Sequence, residues 1–286
     1  MPRLIDTHCH LCHGRLSSRL PDLLDRARQA GVVAMICASA NLEESRQSHA
    51  LAQLHGGIYF TAGVHPHDAR NAAAPYLDEL AQLAAMDRNL SSRRGTSYSA
   101  CPTSYPQHVP DHEKNVAIGE CGLDYHYDFS PRPIQQRVFA EQADLARRLG
   151  KKLVVHTREA FEDTLAILTS SGIDGRAVVF HSFTENRSCL GRALDLGAMI
   201  SFSGIVTFAR SHELRESARL VPDDRILIET DAPYLSPEPL RKMKNNEPAN
   251  VLHIAAALAN ARNVTMDVFA ELTSSNAESF FGLPRP

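Results

Sequence analysis

No stretch of the 286-residue chain approaches the roughly 18 consecutive apolar residues of a membrane span. The first residues, Met1-Pro2-Arg3-Leu4-Ile5-Asp6, lack the apolar run and small-residue cleavage site of a secretory signal. Both absences predict a soluble, cytoplasmic protein with no membrane partner. Positive charge is not in surplus either: 30 Lys and Arg stand against 33 Asp and Glu, a formal net charge of −3. A whole-surface attraction to polyanions is thereby excluded, and contact with nucleic acid must come from a local cluster beside a site. Cysteine is scarce. The six at positions 9, 12, 37, 101, 121 and 189 are too sparse for a disulfide framework in a chain this long. Cys9-His10-Leu11-Cys12-His13 does spell the C-x-x-C-H of covalent haem attachment. That chemistry accompanies export, however, and with no export signal no haem is expected. A G-x-G-x-x-G after the first apolar segment is also missing, which counts against a dinucleotide-binding sheet.

What is present is a rhythm. Hydrophobic residues make up 43% of the chain, enough for a large core, and short β-branched runs alternate with amphipathic segments. Strands are predicted at Leu4–Asp6, Val32–Ala38, Ile58–Val64, Val116–Cys121, Leu153–His156, Ala177–Phe180, Ala198–Phe202 and Arg225–Thr230. Helices are predicted at Pro21–Ala30, Pro133–Leu149, Ala160–Ser171, Asn186–Leu196, Glu213–Leu220, Pro248–Ala261 and Thr265–Phe281. Eight strands in strict alternation with helices predict an α/β fold, a (β/α)₈ TIM barrel forming one domain over residues 1–286. One segment breaks the pattern. Residues 88–115, rich in Ser, Pro, Arg and His, precede the fourth strand and are expected to be a mobile insertion away from the chemistry, with His108 and His112 solvated.

Chemistry gathers where the strands end. The first runs into Asp6-Thr7-His8-Cys9-His10, the third into His65-Pro66-His67-Asp68, and the fourth into Glu120-Cys121-Gly122-Leu123-Asp124. The fifth ends in His156-Thr157-Arg158, the sixth in His181-Ser182-Phe183 and the eighth in Glu229-Thr230-Asp231. The C-terminal strand ends are the face on which barrel enzymes build their sites. Alternation of side chains along a strand aims His8 with His10, His65 with His67, and Glu229 with Asp231. His8, His10, Glu120, His156, His181 and Asp231 together over-supply one ion, but suit two divalent ions about 3.5–4 Å apart bridged by a carboxylate. Glu120 is the expected bridge, with His8, His10 and Asp231 on the first ion and His156 and His181 on the second. Such mixed nitrogen and oxygen ligation favours Zn or Mn, with Mg the oxygen-preferring alternative. His65 and His67 are candidates for holding substrate or orienting a ligand. Arg158 and the cluster Arg241, Lys242 and Lys244 are candidates for binding phosphate.

These segments resemble the TatD family of metal-dependent nucleases, within the wider amidohydrolase-type barrels. The likeness is carried by Asp6-Thr7-His8-Cys9-His10-Leu11, Gly63-Val64-His65-Pro66-His67, Ala117-Ile118-Gly119-Glu120-Cys121-Gly122-Leu123-Asp124-Tyr125, Val155-His156-Thr157-Arg158, Ser201-Phe202-Ser203-Gly204 and Glu229-Thr230-Asp231-Ala232-Pro233-Tyr234-Leu235. The resemblance implies a barrel hydrolase that cuts phosphodiesters, often as a 3′-to-5′ deoxyribonuclease on DNA ends, and the same six ligands. With it, Asp231 is expected to accept a proton from the attacking water, while Arg158, Lys242 and Lys244 hold neighbouring phosphates of DNA or RNA. The chain departs from the family after the sixth strand, at His181-Ser182-Phe183-Thr184-Glu185, and after the eighth, at Arg241-Lys242-Met243-Lys244-Asn245-Asn246. A small-molecule amidohydrolase or lactonase on the same two-metal barrel is the alternative. In many such relatives a modified lysine bridges the metals at the fourth strand, and Glu120 there favours the nuclease.

Overall fold

The computed structural model describes residues 2–85 and 113–285. Eight parallel strands follow one another in chain order: β1 (Leu4–Cys9), β2 (Val32–Cys37), β3 (Ile58–Ala62), β4 (Asn115–Asp124), β5 (Lys152–Arg158), β6 (Val178–Phe180), β7 (Met199–Phe202) and β8 (Ile226–Ile228). The ring closes between β8 and β1 through the Asp231 N–H on the His8 carbonyl (2.9 Å) and the His10 N–H on the Ala232 carbonyl (2.7 Å). This is a TIM barrel, as the alternation predicts. Of the segment expected to be an insertion, residues 88–112, His108 and His112 included, lie outside the described residues. Its last residues belong to the body, since Asn115 opens β4.

Side-chain alternation sorts each strand between two cores. Ile5, Ile36, Tyr59, Ala117, Val154, Val179, Met199 and Leu227, one from each strand, pack together with Phe280, Phe281 and Leu283 of the C-terminal segment. Their neighbours Leu4, Met35, Phe60, Ile118, Val155, Phe180, Ile200 and Ile228 join the larger cluster made with the helices. One strand position therefore fills the barrel and the next seats a helix.

The predicted helices are found within about two residues of their expected limits, apart from Pro248–Ala261, where a 3₁₀ turn at Pro248–Asn250 precedes the helix Val251–Ala261. Helices at Leu42–Leu54 and Tyr76–Ala85 were not apparent from the sequence. The first presents Ser45, Ser48 and Ala52 to the core, so its buried face carries small, partly polar residues and no hydrophobic stripe. Among the described residues, no helix is long and apolar enough to cross a membrane.

Candidate metal centre

A cavity of about 820 Å³ opens at the C-terminal ends of the strands and is lined by His10, His65, Glu120, His156, His181 and Asp231, among others. His8 lies beneath them, fully buried. Two strand irregularities help to aim the site. On the barrel-filling phase of Ile5 and Ala117, residues 7 and 119 would point inward, with His8 and Glu120 turned away. The pairing register slips between Asp6 and Cys9 of β1 and between Ile118 and Cys121 of β4, and Glu120 lines the cavity with His8 Nε2 3.2 Å from its carboxylate. A slip of this kind re-aims a side chain beside a site. In β4 it is flanked by Gly119 (φ 139°) and Gly122 (φ 137°), and a Cβ on Gly122 would lie 1.9 Å from the His156 carbonyl oxygen. His156 and His181 continue the inward phase of Val154 and Val179. His65 and His67 lie beyond β3, where Pro66 opens a 3₁₀ turn, so a turn and not strand alternation brings them to the cavity.

Glu120 is the hub. Its Oε2 lies 3.2 Å from His8 Nε2 and 3.8 Å from His10 Nε2, and its Oε1 lies 2.9 Å from His181 Nε2, 3.0 Å from His156 Nδ1 and 3.2 Å from His65 Nε2. Each carboxylate oxygen thus meets its own group of imidazoles. Asp231 Oδ1 completes the first group, 3.4 Å from His10 Nε2 and 3.8 Å from His8 Nε2. The ligand atoms of His8, His10 and Glu120 lie within 4.8 Å of one another, as do those of His65, Glu120 and His156. His65, expected as a substrate or orienting residue, stands among the potential ligands. The donor set suits divalent cations. Nε2 of His8 and Nε2 of His10 lie 3.3 Å apart, close enough for the lone pairs of two neutral imidazoles to share one cation.

Two further carboxylates orient these rings. Glu229 Oε1 lies 3.0 Å from His181 Nδ1 and accepts the Ser182 N–H at 2.7 Å, while its Oε2 accepts the Ser201 hydroxyl at 2.6 Å. His181 Nε2 is thereby left to face Glu120. Asp124, whose role sequence reasoning missed, does the same for His156. Its Oδ2 lies 3.2 Å from His156 Nε2 and 2.9 Å from His67 Nε2, and its Oδ1 accepts the N–H groups of His126 and Tyr127. Carboxylate partners of this kind set tautomer and ring orientation in metal sites. His67 thus meets the centre through Asp124 and through its ring, whose centroid lies 4.3 Å from that of His65.

The field is strongly coupled. Burial pushes the Glu120 carboxyl up, but His181, His65 and His8 more than offset this and hold it well below its usual range. Burial opposes charge on His181 too, yet Glu120 and Glu229 raise it well above the ordinary imidazole value. Asp231 is kept low against burial by its bond to His10 and by His8 and His181. For His65 burial wins, and its pKa falls to about 4, favouring the neutral form that ligates metal.

The phosphate candidates divide. Arg158 lines the cavity, with its guanidinium carbon 4.7 Å from the Tyr127 ring centroid. Lys242 and Lys244 are exposed and lie outside the cavity lining. What anchors their loop is its amides: Asn245 Oδ1 accepts from Arg15 Nε at 2.8 Å, and Asn246 Nδ2 donates to the Thr230 carbonyl at 2.9 Å. A basic run read by composition cannot distinguish an outward loop from an inward one.

Comparison with known proteins agrees with this architecture. A family model described as TatD related DNase matches residues 5–282. The chain is 36% identical over 282 residues to an Escherichia coli (strain K12) protein named uncharacterized metal-dependent hydrolase YcfH, covering 97% of this chain and 95% of that one. It is 33% identical to the 3′-5′ ssDNA/RNA exonuclease TatD of Klebsiella pneumoniae (strain 342), covering 98% of each. Among solved structures, the Escherichia coli K12 TatD homologue YJJV superposes with a TM-score of 0.84 at 27% identity over 99% of both chains.

Proposed function

Because the chain belongs to the TatD-related DNase family of metal-dependent hydrolases, we propose that it hydrolyses phosphodiester bonds in DNA, working from the 3′ end of single strands, with two divalent ions in the cavity. The observation that carries this reading is the divided Glu120 carboxylate, with one oxygen toward His8 and His10 and the other toward His156 and His181. His8, His10 and Asp231 would hold one ion and His156 and His181 the other, with Glu120 shared and His65 beside the second. Bound there, the ions supply Lewis acidity for a phosphoryl oxygen and lower the pKa of water toward neutrality.

The chain's own groups divide the remaining work. Asp231, kept ionised by His10 and His8, accepts the proton of the attacking water from the cavity side. Glu229 and Asp124 hold His181 and His156 in the orientation that turns their other nitrogens toward Glu120, where a bound ion would take their lone pairs. Arg158 offers a planar fork to a phosphate at the cavity wall. A 3′-5′ polarity and a DNA or RNA substrate are carried over from the Klebsiella relative's name.

Glu120→Gln keeps the shape of the hub and removes its charge. Divalent-dependent cleavage of end-labelled single-stranded DNA should fall at least about 100-fold, with circular dichroism unchanged. Wild-type rates in this variant, measured after chelation and metal restoration, would overturn the shared-carboxylate role. Hydrolysis of lactones or amides without cleavage of any DNA or RNA would instead favour the small-molecule alternative.

A further inference from the structure

The large aromatic side chains most open to solvent among the described residues are Tyr127, Phe129 and Tyr234, and all three line the one cavity that holds the metal centre. Two of them are organised. The Tyr127 and Phe129 rings stack with centroids 5.2 Å apart and planes 20° from parallel, although they are 48% and 50% exposed. The Arg158 guanidinium lies over Tyr127, and the edge of His67 meets both rings, at 5.5 Å and 4.7 Å. The loop beneath them is held rigidly. The N–H groups of His126 and Tyr127 bond to Asp124 Oδ1, and the hydroxyl of buried Ser130 donates to the His67 carbonyl at 2.9 Å. Asp124 in turn bears on His156, so the aromatic pair is two contacts from the metal ligands.

Exposed aromatic surface is costly unless something covers it, and a flat pair pinned at the rim of a site presents π-faces to whatever enters. We propose that Tyr127 and Phe129 form the stacking surface for a nucleobase next to the phosphodiester being cut, with Arg158 completing the stack and meeting the adjoining phosphate. The inference rests on the nucleic-acid reading above and narrows it: the enzyme recognises the unpaired base of a strand end by its face. Stacking is indifferent to sequence because every base has a π-face, and a paired, stacked base cannot present one. It therefore selects single strands without a base-edge code.

The test uses the full-length protein and a short single-stranded oligodeoxynucleotide with phosphorothioate linkages, carrying 2-aminopurine at either terminus. The chain contains no tryptophan, so the probe's fluorescence is read without overlap. Binding to the wild type should quench one terminal probe. In Y127A/F129A the quench should vanish and affinity should fall about tenfold or more. Tyr127→Phe should retain both signals, and Y127L/F129L, which keeps apolar bulk without rings, should lose the quench. Wild type should also prefer a base-carrying end over an abasic end in kcat/KM, and the double variants should lose that ratio. An undiminished quench in the double variants, or no quench in the wild type, overturns the proposal. Quenching with no cleavage of any phosphodiester would leave the stacking surface standing and defeat the nuclease reading. Cleavage with a ratio unaffected by the substitutions would do the reverse.

Discussion

At the residue scale, the proposed centre depends on carboxylates that orient its imidazoles. Glu229 holds His181 by its Nδ1 and Asp124 holds His156 by its Nε2, so each presents its other nitrogen to Glu120. Glu229→Gln can still accept the Ser182 N–H while losing the charge that favours the Nδ1–H form of His181. Metal occupancy or kcat should fall about 10–100-fold, the range found for such partners. Metal content by mass spectrometry and kinetics at saturating metal separate the two effects, and wild-type values in both would exclude a positioning role. Asp124→Asn should act similarly through His156, and should further loosen the Tyr127 loop by weakening the acceptor for two N–H groups. Six ligand candidates were legible because His, Glu and Asp at strand ends are a chemical signal independent of exact geometry. Asp124 was not legible in its role: it stands in the same motif as Glu120, and the sequence shows no difference between a carboxylate that meets an ion and one that meets an imidazole.

At the element scale, the eight strands were legible because two cores impose period-two alternation on short runs. What the pattern could not show is the slip within β1 and β4, since a bulge is one residue out of phase and leaves composition unchanged. Glycine is the trace of it. Gly122 sits at φ 137° with the His156 carbonyl where a Cβ would be, so Gly122→Ala combines left-handed strain with a collision against backbone. It should destabilise by about 3 kcal/mol or more and displace β5 at His156. Urea unfolding would show a lower midpoint, and metal affinity should drop alongside it; an unchanged midpoint would mean that β4 relaxes freely. The helix Leu42–Leu54 escaped for a related reason, as serine and alanine can face a crowded core without forming a hydrophobic stripe.

At the scale of the whole molecule, cations held as proposed would tie together groups from the ends of β1, β4, β5, β6 and β8, so binding them would stabilise the closed ring against the unfolded chain. At free metal about 100-fold above Kd the gain is about 2.7 kcal/mol, which for a chain of this size raises Tm by roughly 4–5 °C. Chelation should reverse the rise, and Glu120→Gln should abolish most of it; a melting point indifferent to Zn²⁺, Mn²⁺ and Mg²⁺ would contradict a cation-filled site. Charge sets the complementary expectation for substrate. The chain carries a net charge of −3, and Arg158 is the one Lys or Arg among the described residues lining the cavity. Single-stranded binding loses affinity with salt at a slope of about −0.7 per neutralised phosphate. One or two phosphates held at the rim therefore give a slope of about −0.7 to −1.4 in a plot of log K against log salt. Affinity measured by anisotropy between 50 and about 200 mM salt should accordingly change only a few-fold, with the remainder supplied by base stacking and the centre itself. A slope near −5 would require a basic track of several residues beyond the cavity and would move recognition away from the strand end.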